Sequence, residues 1–596
     1  MSCRKGGYFL PARLWYDPAL LQAHSGEESI RGLPAVRRGL SRFRAVLVLG
    51  PLCCCIPVRA EDSLPAAHRG GTLHLAAVGS GGTLDPQINY TAEYINLFVT
   101  IYDGLTGFRK ARGPAGDTVM PDLAEAIPAP QDGGRTYVFT LRDGIRFSDG
   151  RKVTVEDVAA SFRRLFRVGS PTAGAFYGDI AGAKACLADP AHCTLAEGVS
   201  PDPVHRTVTF HLTAPDTEFM MKLAFTHASI LPADTPDHDT GNNPVPGTGP
   251  YHIVSYNPEG GIVAERNPYF HVWNAEVQPP GYVDRIEYRF GLTDEAAVTA
   301  IENGQTDWIY DPIPLDRLGE LGARFTSQTH IEPHLTIYFA PMNVHIPPFD
   351  SEKARQAVDY AINRHAMTIL YGGPAIAQPL CSLVPPELTG RMAGCPYTKG
   401  ADFAHPAPEW KAPDLERARE LVRESGTAGQ KVTLVVANRS VDRAMGNELR
   451  DTLDAIGYHA DLKPLAPALM FDYIQNSNNH VQIAIKDWSS DFPSASNFLD
   501  GLFGCENFHP GSNSSVNISG FCDGEVQALI DRAKTDVTLT DAQRADLWAQ
   551  VDALLARHAP GAPIIHKYDV TFVSKRLGNF FYTHNFGLFF SQVWVR

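Results

Sequence analysis

The stretch KVTLVVANRSVDRAMGNELRDTLDAIGYHADLKPL, residues 431–465, decides the fold. Val432 to Ala437 is an apolar run of strand length. Met445, Leu449 and Leu453 then recur at helical spacing, and Ala460 to Leu462 reads as a second strand. The alternation continues in both directions. Downstream, a helix is expected from about Ala466 and a strand from Val481 to Ile485. Upstream, Pro413 opens a helix with Leu415, Ala418, Leu421 and Val422 inward and Gly426 as its stop. Before that, Asp350 or Ser351 caps a helix that buries Ala354, Val358, Ala361 and Ile362. Helix and strand by turns predict an α/β unit with a largely parallel sheet. Ligands of such sheets sit beyond the carboxyl ends of the strands, which directs attention to the segment after Ile485.

The earlier part of the chain is richer in strand. Tyr137, Phe139 and Leu141 alternate with polar residues, Asp143-Gly144 offers a turn, and Ile145 and Phe147 alternate again before Asp149-Gly150. This pattern predicts a hairpin. Thr154 stands three residues before Asp157 in a capping-box arrangement, and Val158, Phe162, Leu165 and Phe166 share one helical face. Val208, Phe210 and Leu212 mark a further strand.

The whole chain has 596 residues, 44% hydrophobic and 20% charged. This composition excludes disorder, collagen and a polytopic membrane protein, and leaves room for several cores at roughly 150 residues per domain. A net charge of −14 argues against a nucleic-acid partner, because phosphate recognition needs a basic surface. No heptad series or repeat of 20–50 residues is present.

Arg37, Arg38, Arg42 and Arg44 precede an apolar stretch from Ala45 to Val58, closed by Val58-Arg59-Ala60. A basic flank, a short apolar core and a small residue at the cut read as a cleaved signal peptide over residues 1–60. Residues 1–35 place polar and acidic chain ahead of the basic region, which predicts a true start near Val36. No Leu-small-small-Cys box precedes Cys53, Cys54 or Cys55, so lipid anchoring is not expected. Without residues 1–60 the chain keeps 43 basic against 63 acidic residues, a net charge of −20. The other six cysteines fall into local pairs: Cys186 with Cys193, Cys381 with Cys395, and Cys505 with Cys522. In an exported chain these are candidate disulfides closing short loops, with buried free thiols as the alternative.

Catalytic patterns are missing: there is no GxSxG, HExxH, GxxxxGK[ST] or GxGxxG. His330, Glu332 and His334 would share a face if extended, but Pro333 excludes the helical spacing of zinc proteases. Surface or core histidines are the expected account, also for His238. No catalytic residue, metal or cofactor is assigned. Asp487-Trp488-Ser489-Ser490-Asp491-Phe492-Pro493 draws more interest, because an extended chain there would put Asp487, Ser489 and Asp491 on one face. A carboxylate and an aromatic ring at a strand end suit a cationic ligand group. The alternative is that Asp491 caps the following turn.

These residues resemble the family 5 extracellular solute-binding proteins of bacterial ABC importers, the group of the oligopeptide- and dipeptide-binding proteins. The matching blocks include Gly70-Gly71-Thr72-Leu73, Leu84-Asp85-Pro86, Tyr102-Asp103-Gly104-Leu105-Thr106 and Pro121-Asp122-Leu123-Ala124-Glu125. They continue with FTLRDGIRFSDGRKVTVED ending at Asp157, Gly247-Thr248-Gly249-Pro250-Tyr251, Glu265-Arg266-Asn267-Pro268, Pro347 to Arg364, and Trp488 to Leu499. They run in the family's order from about residue 70 onward. The resemblance implies a bilobal periplasmic-binding-protein fold, class II-like, with an extra inserted domain. Mapped here, lobe one is 62–106, 226–334 and 570–596, the inserted domain 107–225, and lobe two 335–569. It implies a periplasmic, monomeric, non-enzymatic receptor that captures a peptide or peptide-like solute and delivers it to ABC transporter permease subunits.

By the same resemblance, Asp487 to Asp491, including Trp488 and Ser489, supplies strand-like contacts, Asp491 pairs with the peptide α-ammonium, and Tyr90 is a cleft residue. Two departures stand out. Asp487 occupies a place where a small residue is usual, and no arginine for a peptide carboxylate is identified. Other members take opines, glutathione, oligosaccharides or nickel complexes. A secreted hydrolase, and a chaperone or signalling receptor on the same fold, are the readings from other classes.

Overall fold

Strand β1 (Thr72–Ala77) buries Leu73, Leu75 and Ala77 and leads into helix α1 (Ala92–Ile101). The computed structural model describes residues 68–513 and 515–596, so the signal peptide, the start near Val36 and Cys3, Cys53, Cys54 and Cys55 lie outside the described residues. Among the described residues no helix is long and apolar enough to cross a membrane.

Strands β2 (Thr136–Thr140), β3 (Val199–Asp202) and β4 (Thr207–His211) form an antiparallel sheet in the order β2-β4-β3. Helix α2 (Val155–Arg167) covers it with Val158, Phe162, Leu165 and Phe166. Its start is a complete capping box: Thr154 N–H donates to Asp157 Oδ2 at 2.8 Å, and Asp157 N–H to Thr154 Oγ1 at 3.4 Å. The expected hairpin is not formed. Tyr137 and Phe139 pair with Phe210 and Val208 of β4, and only the second turn closes locally, with Val153 N–H on Ile145 O at 3.0 Å. The reason is that alternation reports a buried face and not the partner that supplies the ladder. Phe139 packs edge-on to Phe210 at 5.7 Å.

Strands β5 (Tyr251–Asn257), β6 (Gly261–Arg266) and β7 (Arg285–Phe290), helix α3 (Asp294–Glu302) and strand β8 (Trp308–Ile309) complete a five-stranded sheet, β8-β1-β7-β6-β5. In it β1 runs parallel to β7 and β8. Strand β9 (Thr329–Pro341) follows, then helix α4 (Glu352–Ala361), strand β10 (Ala377–Pro379) and helix α5 (Leu415–Glu424). Asp414, not Pro413, caps α5, accepting the Arg417 N–H at 3.0 Å. Gly426, at φ +70°, follows the end of the helix as expected.

The stretch that opened the reading folds as β11 (Lys431–Ala437), α6 (Ser440–Ile456) and β12 (His459–Leu465), followed by α7 (Pro467–Gln475) and β13 (Ile483–Ala484). Their sheet, β12-β11-β13, is wholly parallel. It stops at three strands. The chain beyond β13 turns into β14 (Lys486–Ser489), which pairs antiparallel with β9, ahead of helix α8 (Ser496–Phe503) and the long strand β15 (Gly561–Phe572). A second, four-stranded sheet, β10-β15-β9-β14, is therefore antiparallel, and the expected single parallel sheet is corrected to two. The second half of β9 and the first half of β15 are as apolar and buried as the parallel strands, so composition alone does not separate the two sheets. The β9–β15 ladder shifts register twice, between Pro333 and Ile337 and between Tyr338 and Phe339, and β14 pairs with β9 from Thr336 to Phe339 beside these shifts.

Among the described residues three disulfides are present, Cys186–Cys193, Cys381–Cys395 and Cys505–Cys522, spanning 7, 14 and 17 positions.

Candidate functional site

Strand β14 lies at the edge of its sheet. Ser490 N–H donates to Leu335 O at 2.9 Å, and Ser489 stands opposite Thr336. This phase makes Ser489–Thr336 a non-hydrogen-bonded pair, whose side chains approach closely, and their hydroxyls meet at 2.8 Å. The N–H and C=O groups of Asp487 and Ser489 consequently point away from β9, along the open edge. An open edge is a template for another extended chain.

The chain leaves the strand after Ser489, so Asp491 does not share the face of Asp487 and Ser489 as expected. Instead it is clamped at the strand end. Its Oδ1 accepts the Tyr90 hydroxyl at 2.7 Å and its Oδ2 the Asn497 side-chain amide at 3.0 Å, while its own N–H donates to Asn497 Oδ1 at 3.1 Å. The Trp488 indole N–H donates to Asn497 O and Oδ1, both at 3.1 Å. Helix α8 takes Ala495 as its cap, so Asp491 is not spent on capping. Burial lifts the Asp491 carboxyl to about 6, against the opposing hydrogen bonds from Asn497 and Tyr90. Tyr90 is half-exposed and braced by Phe225 at 6.0 Å and His227 at 5.3 Å. Tyr90 thus meets Asp491 directly, and Trp488 is joined to Asp491 through Asn497, a residue the sequence did not single out.

Asp487 is a different kind of acid. Lys486 Nζ lies 2.6 Å from its Oδ1. Burial would raise it, but the Lys486 and Lys567 ammonium groups prevail and hold it at about 2. Lys567 is itself bound to Asp569 at 2.8 Å.

Arg439 was not expected. It is the N-cap residue of α6, two positions past the carboxyl end of β11, and is exposed. Among the described residues its guanidinium makes no hydrogen bond or ion pair. Its charge acts on Asp442 of α6 and on Asp311 beyond β8, while that of Lys567 acts on Asp487 and on Tyr310. Asp311 follows β8 and Arg439 follows β11, so the carboxyl ends of the parallel strands of these two sheets lie within electrostatic reach of each other, and such strand ends are where α/β sheets bind ligands. The sequence signal was available: a lone arginine just past a parallel strand and opening a helix.

His330, Glu332 and His334 lie on β9, but His330 stacks on Phe580 at 3.7 Å and His334 Nδ1 pairs with Thr336 Oγ1 at 2.7 Å. Among the described residues no group of three His, Cys, Asp or Glu side chains is arranged to hold a metal.

Comparison with known proteins agrees with this architecture. Over 551 residues the chain is 26% identical to the dipeptide-binding protein of Pseudomonas aeruginosa, covering 87% of this chain and 93% of that protein. It is 24% identical to the glutathione-binding protein of Salmonella typhimurium, again over 87% and 93% of the two chains. Among solved structures, the clavulanic acid biosynthesis oligopeptide binding protein 2 superposes with a TM-score of 0.77 at 25% identity, covering 89% of this chain and 96% of that one. Residues 118–510, about two thirds of the chain, match the middle region of the bacterial extracellular solute-binding proteins, family 5, and the chain belongs to that family.

Proposed function

We propose that this protein is the periplasmic receptor of an ABC importer for short peptides with a free α-ammonium group. Asp491 carries the reading: a carboxylate clamped by Tyr90 and Asn497 at the end of an open strand edge. The peptide lies along β14, bonds to the exposed backbone groups of Asp487 and Ser489, and places its ammonium on Asp491. Arg439 takes the terminal carboxylate of a short ligand, since it faces the same cleft with its donors uncommitted. The named peptide specificity of the dipeptide-binding relative supports this assignment.

Lobe one comprises 62–106, 226–334 and 570–596, the inserted domain 107–225, and lobe two 335–569. The apolar clusters support this division. One gathers Leu73 to Tyr102, Leu231 to Trp308 and Val573 to Val593, a second runs almost wholly from Leu105 to Ile230, and two more lie between Leu335 and Ile565. Closure about the β9–β15 crossing brings Tyr90 to Asp491, and the closed, loaded form is handed to a permease without chemical change to the ligand. Export through a cleaved signal over residues 1–60 and a monomeric state complete the reading.

The test is calorimetric titration of wild type and Asp491→Ala with trialanine and with N-acetyl-trialanine. The variant is expected to lose at least about tenfold in affinity for the free amine, roughly 1.4 kcal/mol, and little for the acetylated form. Equal losses for both ligands would remove the anchoring role.

A further inference from the structure

At the carboxyl ends of β1, β7 and β8 the first sheet collects acids with few counterions. Glu93 lies in the first turn of α1, Asp294 opens α3, and Asp311 follows β8. Asp311 Oδ2 accepts the Val78 N–H at 2.7 Å. Glu93 Oε1 is buried with no hydrogen-bond partner among the described residues. Tyr288 of β7, only 1% exposed, presents a hydroxyl that is likewise unpartnered, and it stands in the field of Glu93, Tyr310 and Asp311. Two buried polar atoms within electrostatic reach of each other, with no hydrogen bond among the described residues, hold unmet capacity that a single ligand donor would serve.

The other sheet adds to the imbalance. Asp442, in the first turn of α6, faces Asp487 and Arg439. Lys486 and Lys567 are bound to Asp487 and Asp569, so Asp311 and Asp442 share the Arg439 guanidinium, which does not act on Glu93. If a ligand carboxylate engages Arg439, these acids lose that counterion.

We propose that Glu93 and Asp311, with the Tyr288 hydroxyl as a further acceptor, form a second cation subsite that receives a basic side chain of the bound peptide. The ligand class is then a short peptide with a lysine- or arginine-like residue near its carboxyl end, and not any peptide. This rests on the peptide reading above. Burial supports the same conclusion: it raises Glu93 to about 7, with Asp311 adding to the effect, and a cation relieves both.

The experiment compares Ala-Lys with Ala-norleucine and Ala-Lys-Ala with Ala-norleucine-Ala, which differ by the side-chain ammonium, on wild type and on the double variant Glu93→Gln, Asp311→Asn. These near-isosteric changes keep an acceptor for Val78 N–H, and thermal denaturation checks the fold. In wild type, at least one lysine peptide is expected to bind about tenfold tighter than its norleucine partner, a gap that shrinks to about twofold in the double variant. Equal affinities in wild type, or a gap that survives in the variant, overturn the subsite. If none of the four peptides binds, the peptide reading itself is wrong and the subsite falls with it.

Discussion

Asp491 is a carboxylate held in waiting. Its fold-raised pKa of about 6 means that the folded protein binds a proton there more tightly than the unfolded chain does. The associated stabilisation is fully present below about pH 4, the ordinary range of an aspartate, and is lost as pH rises through about 6. Wild type is therefore expected to lose thermal stability relative to Asp491→Asn between pH 4 and pH 7.5, as read by denaturation scans across pH. A difference that stays flat, or grows in favour of wild type, contradicts the burial argument. The type and place of Asp491 were legible from its strand end and from the family text around it. Its clamp was not, because Tyr90 lies 401 positions away in sequence and Asn497 reads as an ordinary helix residue. Asp487 shows the same. The acid was plain in the sequence as a departure from the family text, but its pairing with Lys486 and the distant Lys567 was not.

Among the elements, those specified by local rules were legible and those specified by long-range pairing were not. The α2 capping box, the α6 face of Met445, Leu449 and Leu453, and the parallel β11–β12 pair all follow from spacing over fewer than forty residues. The hairpin over Tyr137 to Phe147 failed because β2 finds its partner about seventy residues on, and the chain passes from β13 to β14, in another sheet, across the single residue Ile485. Gly446 shows how closely α6 lies on its sheet: a Cβ there would stand 2.8 Å from Leu462 and 2.9 Å from Val436. Gly446→Val is expected to destabilise the protein by roughly 1–3 kcal/mol through overpacking, measurable by urea denaturation. No loss would mean that α6 and the sheet can part without cost. The loss matters for function, because Arg439 and Asp442 ride on the first turns of this helix.

For the whole molecule, composition excluded classes but did not reach a ligand, and the collinear family text supplied the architecture. The account turns on two sheets whose parallel strands end within electrostatic reach of each other, with charged groups at this place. Contacts between distant parts of the chain are already made beside it: Ser496 Oγ donates to Glu218 at 2.6 Å, and Tyr90 donates to Asp491. A ligand that adds its own ammonium to this set favours the closed arrangement by its differential affinity for it. Native mass spectrometry of protein purified without denaturation, with fragmentation of whatever it releases, tests the central claim most directly. The account predicts one retained short peptide with a free amino terminus, absent from Asp491→Ala; a retained solute with no primary amine, or a peptide equally abundant on the variant, would contradict it.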